Sequence, residues 1–125
     1  MWMTRPASDM QLEGWSKADK MQALNTMQAV FNKEPGGNGY YVSIPGMFHV
    51  NFTDGPYFTP LGPLLNPPLA GPINAQRGFD IINAYSLAFF DQYVEGHLAA
   101  LLDGPSKQYP EVLFSVSGIG QKPLS

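Results

Sequence analysis

Cysteine is absent from the 125 residues. That rules out a disulfide framework and any thiolate metal site, and it leaves the redox compartment undetermined. Charge is scarce as well: seven Lys and Arg stand against ten Asp and Glu, for a formal net charge of -3 and a pI near 5.1. The basic residues are scattered, so there is no basic footprint and the sequence argues against a nucleic-acid partner. No stretch approaches the roughly 20 apolar residues of a membrane span, which implies no transmembrane segment. Met1-Trp2-Met3-Thr4-Arg5-Pro6 lacks the apolar core of a signal peptide. The chain carries no recognisable address, so its localisation stays open. There is also no Gly-x-Ser-x-Gly, the pattern whose sharp strand-to-helix turn exposes a nucleophilic serine.

What the chain does have is apolar and aromatic content. Hydrophobic residues make up 44% and charged residues 14%, with eight Phe, six Tyr and two Trp. This is the composition of about one globular domain with more apolar surface than a small solvated one needs. Ser16 followed by Asp19 reads as a helix start. Met21, Leu24, Met27 and Phe31, flanked by Ala23 and Val30, recur at helical spacing until Pro35-Gly36-Gly37. The spacing predicts a helix over 17–32 whose methionine stripe is core, since a flexible thioether fills irregular gaps. Gly36-Gly37-Asn38-Gly39 lacks the lysine and preceding strand of a phosphate loop and reads as a turn. Tyr40-Tyr41-Val42-Ser43-Ile44 reads as a short strand that Pro45 terminates.

Residues 55–72 are punctuated by Pro56, Pro60, Pro63, Pro67 and Pro68, which argues against a regular helix and against most sheet pairing. Yet the segment carries Tyr57, Phe58, Leu61, Leu64, Leu65 and Leu69. A loop that apolar is expected to pack against the core; lining a substrate entrance is the alternative. The longest element begins at the capping residue Asn74 and runs through Phe79, Ile82, Tyr85, Ala88, Phe89 and Tyr93 to Glu95, with Gly96 as its stop. Ile81 and Phe90 widen its apolar stripe, so it needs a large hydrophobic partner surface. His97, beside Gly96, reads as an exposed turn residue, and Val112–Val116 as a further strand. Two main helices with one or two strands leave the sheet incomplete, although Met1-Trp2-Met3 reads as the end of another strand.

The chemistry inventory is short. His49 follows a strand and a Pro-Gly turn, where a side chain can project into a cleft while the strand fixes its backbone. It could equally be a hydrogen-bonded loop histidine that only holds two segments together. Asp54 lies five residues on and is expected to satisfy loop amides rather than to pair with His49. Ser43 and Ser86 do not resemble activated nucleophiles. With two histidines and no repeated carboxylate-histidine spacing, neither a metal nor a cofactor is expected.

Phe48-His49-Val50-Asn51-Phe52-Thr53-Asp54 resembles the His-x-Asn-Phe-x-Asp motif of the platelet-activating-factor acetylhydrolase-like branch of the α/β-hydrolases. Further similarity lies in Gly71–Arg77, Ile82–Asp91 and Leu101–Pro105. The resemblance implies an α/β fold in which residues 1–125 are the C-terminal part of a single α/β-hydrolase domain. The nucleophile-bearing N-terminal part would lie outside the chain.

His49 would be the general base of a Ser-His-Asp triad acting on acyl esters, short-chain phospholipid esters among them. Asn51 and Asp54 would be its loop support. The acid would lie upstream, so neither Asp9 nor Asp19 is assigned to that role. By this reading the chain alone is inactive. Two alternatives remain: a non-catalytic interaction module that self-associates or docks a partner through exposed apolar surface, and an inactive truncated product.

Overall fold

The computed structural model describes residues 1–34, 36, 38–58, 61, 64 and 68–118. It is a mixed helix-and-strand fold built on a three-stranded sheet. Strand β1 (Trp2–Thr4) leads into a short helix, α1 (Ala7–Leu12), and a long one, α2 (Lys17–Lys33). The chain then returns as β2 (Tyr40–Ser43), parallel to β1 with Met3 beside Val42. Strand β3 (Leu113–Val116) pairs antiparallel to β2 on its other side, with Val42 beside Phe114. A single-turn helix, α3 (Gly55–Phe58), and the long α4 (Ala75–Phe90) lie between β2 and β3.

Alternation along β2 divides its neighbours into two cores. Tyr40 and Val42 point to one face, where Ile81, Tyr85 and Ala88 of α4 join them with Leu102, Tyr109 and Val112. Tyr41 points to the other face, against Met10 of α1 and Met27 and Phe31 of α2. A strand covered on both faces has every position buried, and all four residues of β2 are. In β3, by contrast, only Phe114 and Val116 face inward, while Leu113 and Ser115 are exposed.

Both predicted helix starts form as expected. Ser16 Oγ accepts the Asp19 N–H at 3.1 Å, and Asn74 Oδ1 accepts the Arg77 N–H at 3.1 Å. The Arg77 guanidinium then pairs with Glu111 through Nε–Oε1 at 2.6 Å and Nη2–Oε2 at 3.1 Å. It also lies over the Tyr109 ring at 4.7 Å. This clasp ties the start of α4 to the segment before β3, and the guanidinium hydrogen bond holds the Glu111 carboxyl below its ordinary range.

Several expectations need correction. The strand end expected at Met1–Met3 forms, shifted by one residue, as Trp2–Thr4, and brings the sheet to three strands. The short α1 carries no apolar periodicity and was not foreseen. On α2 only Met27 and Phe31 are buried; Met21 is 48% exposed and Val30 40%, since the sheet is too narrow to cover a wider stripe. The long helix changes at Asp91 into a π-helical turn, Asp91–Glu95, before stopping at Gly96. Phe90, at the end of α4, and Tyr93, in the π turn, are 57% and 44% exposed. Pro56 does not prevent a helical turn, because in α3 it sits in the first turn, where its missing N–H costs nothing. The apolar loop does not pack as expected: Phe58 is 82% and Leu64 80% exposed, with Tyr57, Leu61 and Leu69 also open. Leu65, Pro60, Pro63 and Pro67 lie outside the described residues.

The aromatic core has a pH consequence. Burial, and then the hydrogen bond with Tyr93, push the Tyr40 hydroxyl up from 10.0 to about 12, and burial also raises Tyr41 and Tyr85. A raised folded-state pKa contributes stability that is fully present below the unfolded value. It is lost as the pH rises, because the unfolded phenol gives up its proton first. Denaturant midpoints followed by circular dichroism are therefore expected to fall between pH 10 and about 12, and Tyr40→Phe should flatten part of that decline.

Candidate functional site

His49 lies six residues beyond β2 and opens a 3-10 turn, His49–Phe52. Pro45-Gly46 turns the chain out of the sheet, with Gly46 in the left-handed region at φ +80 where a side chain would be strained. The Gly46 N–H donates to Asp9 Oδ2 at 2.7 Å, which fixes this turn to α1. Ile73 N–H in turn donates to the Gly46 carbonyl at 3.0 Å. The segment after the strand thus runs beside residues 71–73.

Asn51 holds the two segments together. Its buried Oδ1 accepts the Phe48 N–H at 2.8 Å and the Gly71 N–H at 2.7 Å. The approach is so close that a Cβ on Gly71 would lie 2.2 Å from the Gly46 carbonyl oxygen, so only glycine fits there. Asn51 thus accepts one backbone N–H from each of the two segments. Asp54 is different: its carboxylate is exposed and has no hydrogen-bond partner among the described residues. The local amide is satisfied by Thr53, whose Oγ1 accepts the Gly55 N–H at 3.0 Å and donates to the Val50 carbonyl at 2.7 Å. Asp54 contributes only its own carbonyl, to Tyr57 N–H at 3.0 Å.

The His49 side chain is exposed and stands at a cleft of about 820 Å³. The cleft is bounded by β1 with Trp2, by Met10 and Trp15 around α1, by the α2 face at Ala23 and Met27, and by Phe52. It lies along the side of β1 that no strand flanks among the described residues. Because the Thr4 carbonyl accepts the Ile44 N–H at 2.9 Å, alternation turns the Met3 backbone groups away from β2 and toward that open side. The His49 ring has no hydrogen-bond partner among the described residues; its backbone N–H, however, donates to Glu13 Oε1 at 2.6 Å.

The other residues singled out from sequence are placed as follows. Ser43 is fully buried and Ser86 sits mid-helix on α4. Asp19 and Ser16 line the cleft, but the Ser16 hydroxyl donates to Asp19 Oδ2 at 2.6 Å and so is used within the helix cap. His97 is exposed, its N–H donating to the Asp91 carbonyl at 3.0 Å. Among the described residues no group of three His, Asp or Glu could hold a metal, and no helix is long and apolar enough to cross a membrane. Sequence reasoning missed Asp9 and Glu13 as partners of this loop, and Arg5 as the partner of Glu13. Glu13 and His49 are 36 residues apart, and no local pattern announces the contact.

No family model matches the chain, and neither does any curated protein or solved structure.

Removing the Asn51 carboxamide would leave two buried N–H groups without an acceptor. Asn51→Ala is expected to cost about 2 kcal/mol or more in chemical denaturation, and to speed hydrogen exchange at Phe48 and Gly71. Asn51→Asp, which keeps the accepting oxygen, should lose much less.

Proposed function

We propose that His49 is the general base of a serine carboxylic-ester hydrolase of the α/β-hydrolase type, and that this chain is the C-terminal portion of that domain. The observation that carries the reading is the placement of a solvent-reachable imidazole at an apolar cleft on the side of β1 that no strand flanks among the described residues, with its loop held at Phe48 by Asn51 and at His49 by Glu13. The motif Phe48–Asp54 supports it by resemblance, and so do the outward-facing backbone groups of β1, which leave room for more sheet on that side.

In such an enzyme the histidine takes the proton of the serine as it attacks the ester carbonyl, then returns it to the leaving alcohol. The acid orients the ring and stabilises the imidazolium, and backbone amides hold the oxyanion. Only the first of these parts is assigned here. Serine, acid and oxyanion donors would belong to a preceding part of the domain, in the chain order serine, acid, histidine. Short-chain phospholipid esters are one class of acyl ester that such an enzyme would cleave.

A second reading rests on the exposed side chains of Tyr57, Phe58, Leu61, Leu64 and Leu69. An uncharged apolar surface of that kind fits an interaction module that docks a partner or a second copy of the chain.

The two readings part in solution. For the hydrolase, the 125 residues alone should cleave a chromogenic short-chain ester no faster than free imidazole. A longer protein supplying a Gly-x-Ser-x-Gly serine should lose about 10⁴-fold or more in kcat/KM on His49→Ala, and full activity in that variant would refute the assignment. For the interaction module, the apparent mass in size exclusion should rise with concentration and return to that of a monomer on Phe58→Ser with Leu64→Ser. A monomer at every concentration removes that form of self-association.

A further inference from the structure

Two acidic side chains of one short segment reach across to the loop that carries His49. Asp9 Oδ2 accepts the Gly46 N–H at 2.7 Å and Glu13 Oε1 accepts the His49 N–H at 2.6 Å. Glu13 is itself held. Its other oxygen, Oε2, accepts Arg5 Nε at 3.0 Å and also meets Arg5 Nη2. The two side chains are only 7% and 14% exposed, and the Arg5 guanidinium lies 5.0 Å from the centre of the Trp15 ring. Arg5 directly follows β1 and Trp15 lies on the cleft, so the carboxylate is locked between the sheet, the cleft wall and the His49 backbone. A carboxylate whose two oxygens are each occupied by a donor has little freedom to rotate, and charge-assisted bonds of this kind are the stronger class.

We propose that Glu13 is a positioning residue for His49. One carboxylate oxygen grips the His49 main-chain N–H while Arg5 grips the other, so the strand end, not the loop alone, sets where the imidazole stands at the cleft. The inference rests on the reading of His49 as general base. Asn51 fixes the loop from the 71–73 side and Glu13 fixes it from the β1 side. The imidazole, on the one residue whose N–H is tied to Glu13, can pivot only about its own side-chain bonds. Misplacing a reacting group by about 1 Å can cost about 100-fold in rate. A tether at the backbone of the base is therefore expected to act on kcat and to leave KM nearly unchanged.

The test has two arms. In the 125-residue chain, amide hydrogen exchange is followed in Glu13→Ala and Glu13→Gln, with Ile81 and Tyr85 as core references. The His49 amide should exchange about tenfold faster or more in Glu13→Ala while the references hold. Glu13→Gln offers one acceptor to two donors and should fall between. Unchanged His49 exchange in Glu13→Ala would overturn the tether, whatever the enzyme does. In the longer, serine-bearing protein, Glu13→Ala should lower kcat about 10- to 100-fold with KM within about twofold and with partial recovery in Glu13→Gln. If His49→Ala abolishes activity but Glu13→Ala leaves kcat intact, the positioning role fails and the hydrolase reading stands. If His49→Ala leaves ester cleavage intact, the hydrolase reading fails and takes the catalytic purpose of the tether with it.

Discussion

The geometry around His49 depends on one carboxamide oxygen. Asn51 Oδ1 takes N–H groups from Phe48 and from Gly71, residues in two parts of the long connection between β2 and β3. A buried amide without an acceptor is costly, so each part can settle only where the other supplies its half of the contact. Gly71 permits the approach by having no side chain, and Ile73 reinforces it through the Gly46 carbonyl. The join sets how the exit from β2, the 3-10 turn and the entry into α4 lie against one another, while Asp9 and Glu13 hold the same loop from the β1 side.

Around the join, the sheet supplies rigidity at low cost in sequence. The buried strand β2 serves both cores, with Tyr40 and Val42 turned to α4 and Tyr41 to α1 and α2. Aromatic rings fill the larger core: Tyr40 stacks on Phe114 at 6.0 Å between centres and meets Phe89 edge-on at 6.3 Å, while Tyr85 lies 5.8 Å from Phe114. The Tyr40 hydroxyl is spoken for by Tyr93 and Gln92 at 3.0 and 3.1 Å. This ties the π-helical end of the α4 segment back to the first residue of β2, and it explains how a three-stranded sheet anchors so long a helical arm.

What could be read from sequence was what local chemistry dictates. Ser16 and Asn74 cap as their types require, Pro45 ends the strand, and the runs of strand-forming residues at Tyr40–Ser43 and Leu113–Val116, each bounded by glycine or proline, give strands. Patterns failed where the outcome depended on how much surface was available to bury against. The stripe on α2 is wider than its partner, so Met21 and Val30 remain outside, and Phe58, Leu61, Leu64 and Leu69 stay exposed while Tyr57 meets the Phe79 ring at 5.5 Å between centres. The site was half legible. His49 and Asn51 stand in a recognisable local run, whereas Asp54 was given a role that Thr53 fills through a closer hydroxyl. Arg5, Asp9 and Glu13 were invisible because their value comes from contacts with residues far along the chain.

One further consequence lies in the indoles. The sequence has only two tryptophans, and Trp2 and Trp15 both line the cleft beside His49. Trp15 also carries the Arg5 guanidinium against its ring. The tryptophan fluorescence of the chain is thus confined to this one concavity. Any molecule or strand that settles there changes the polarity around both emitters at once, with no third indole elsewhere to dilute the signal.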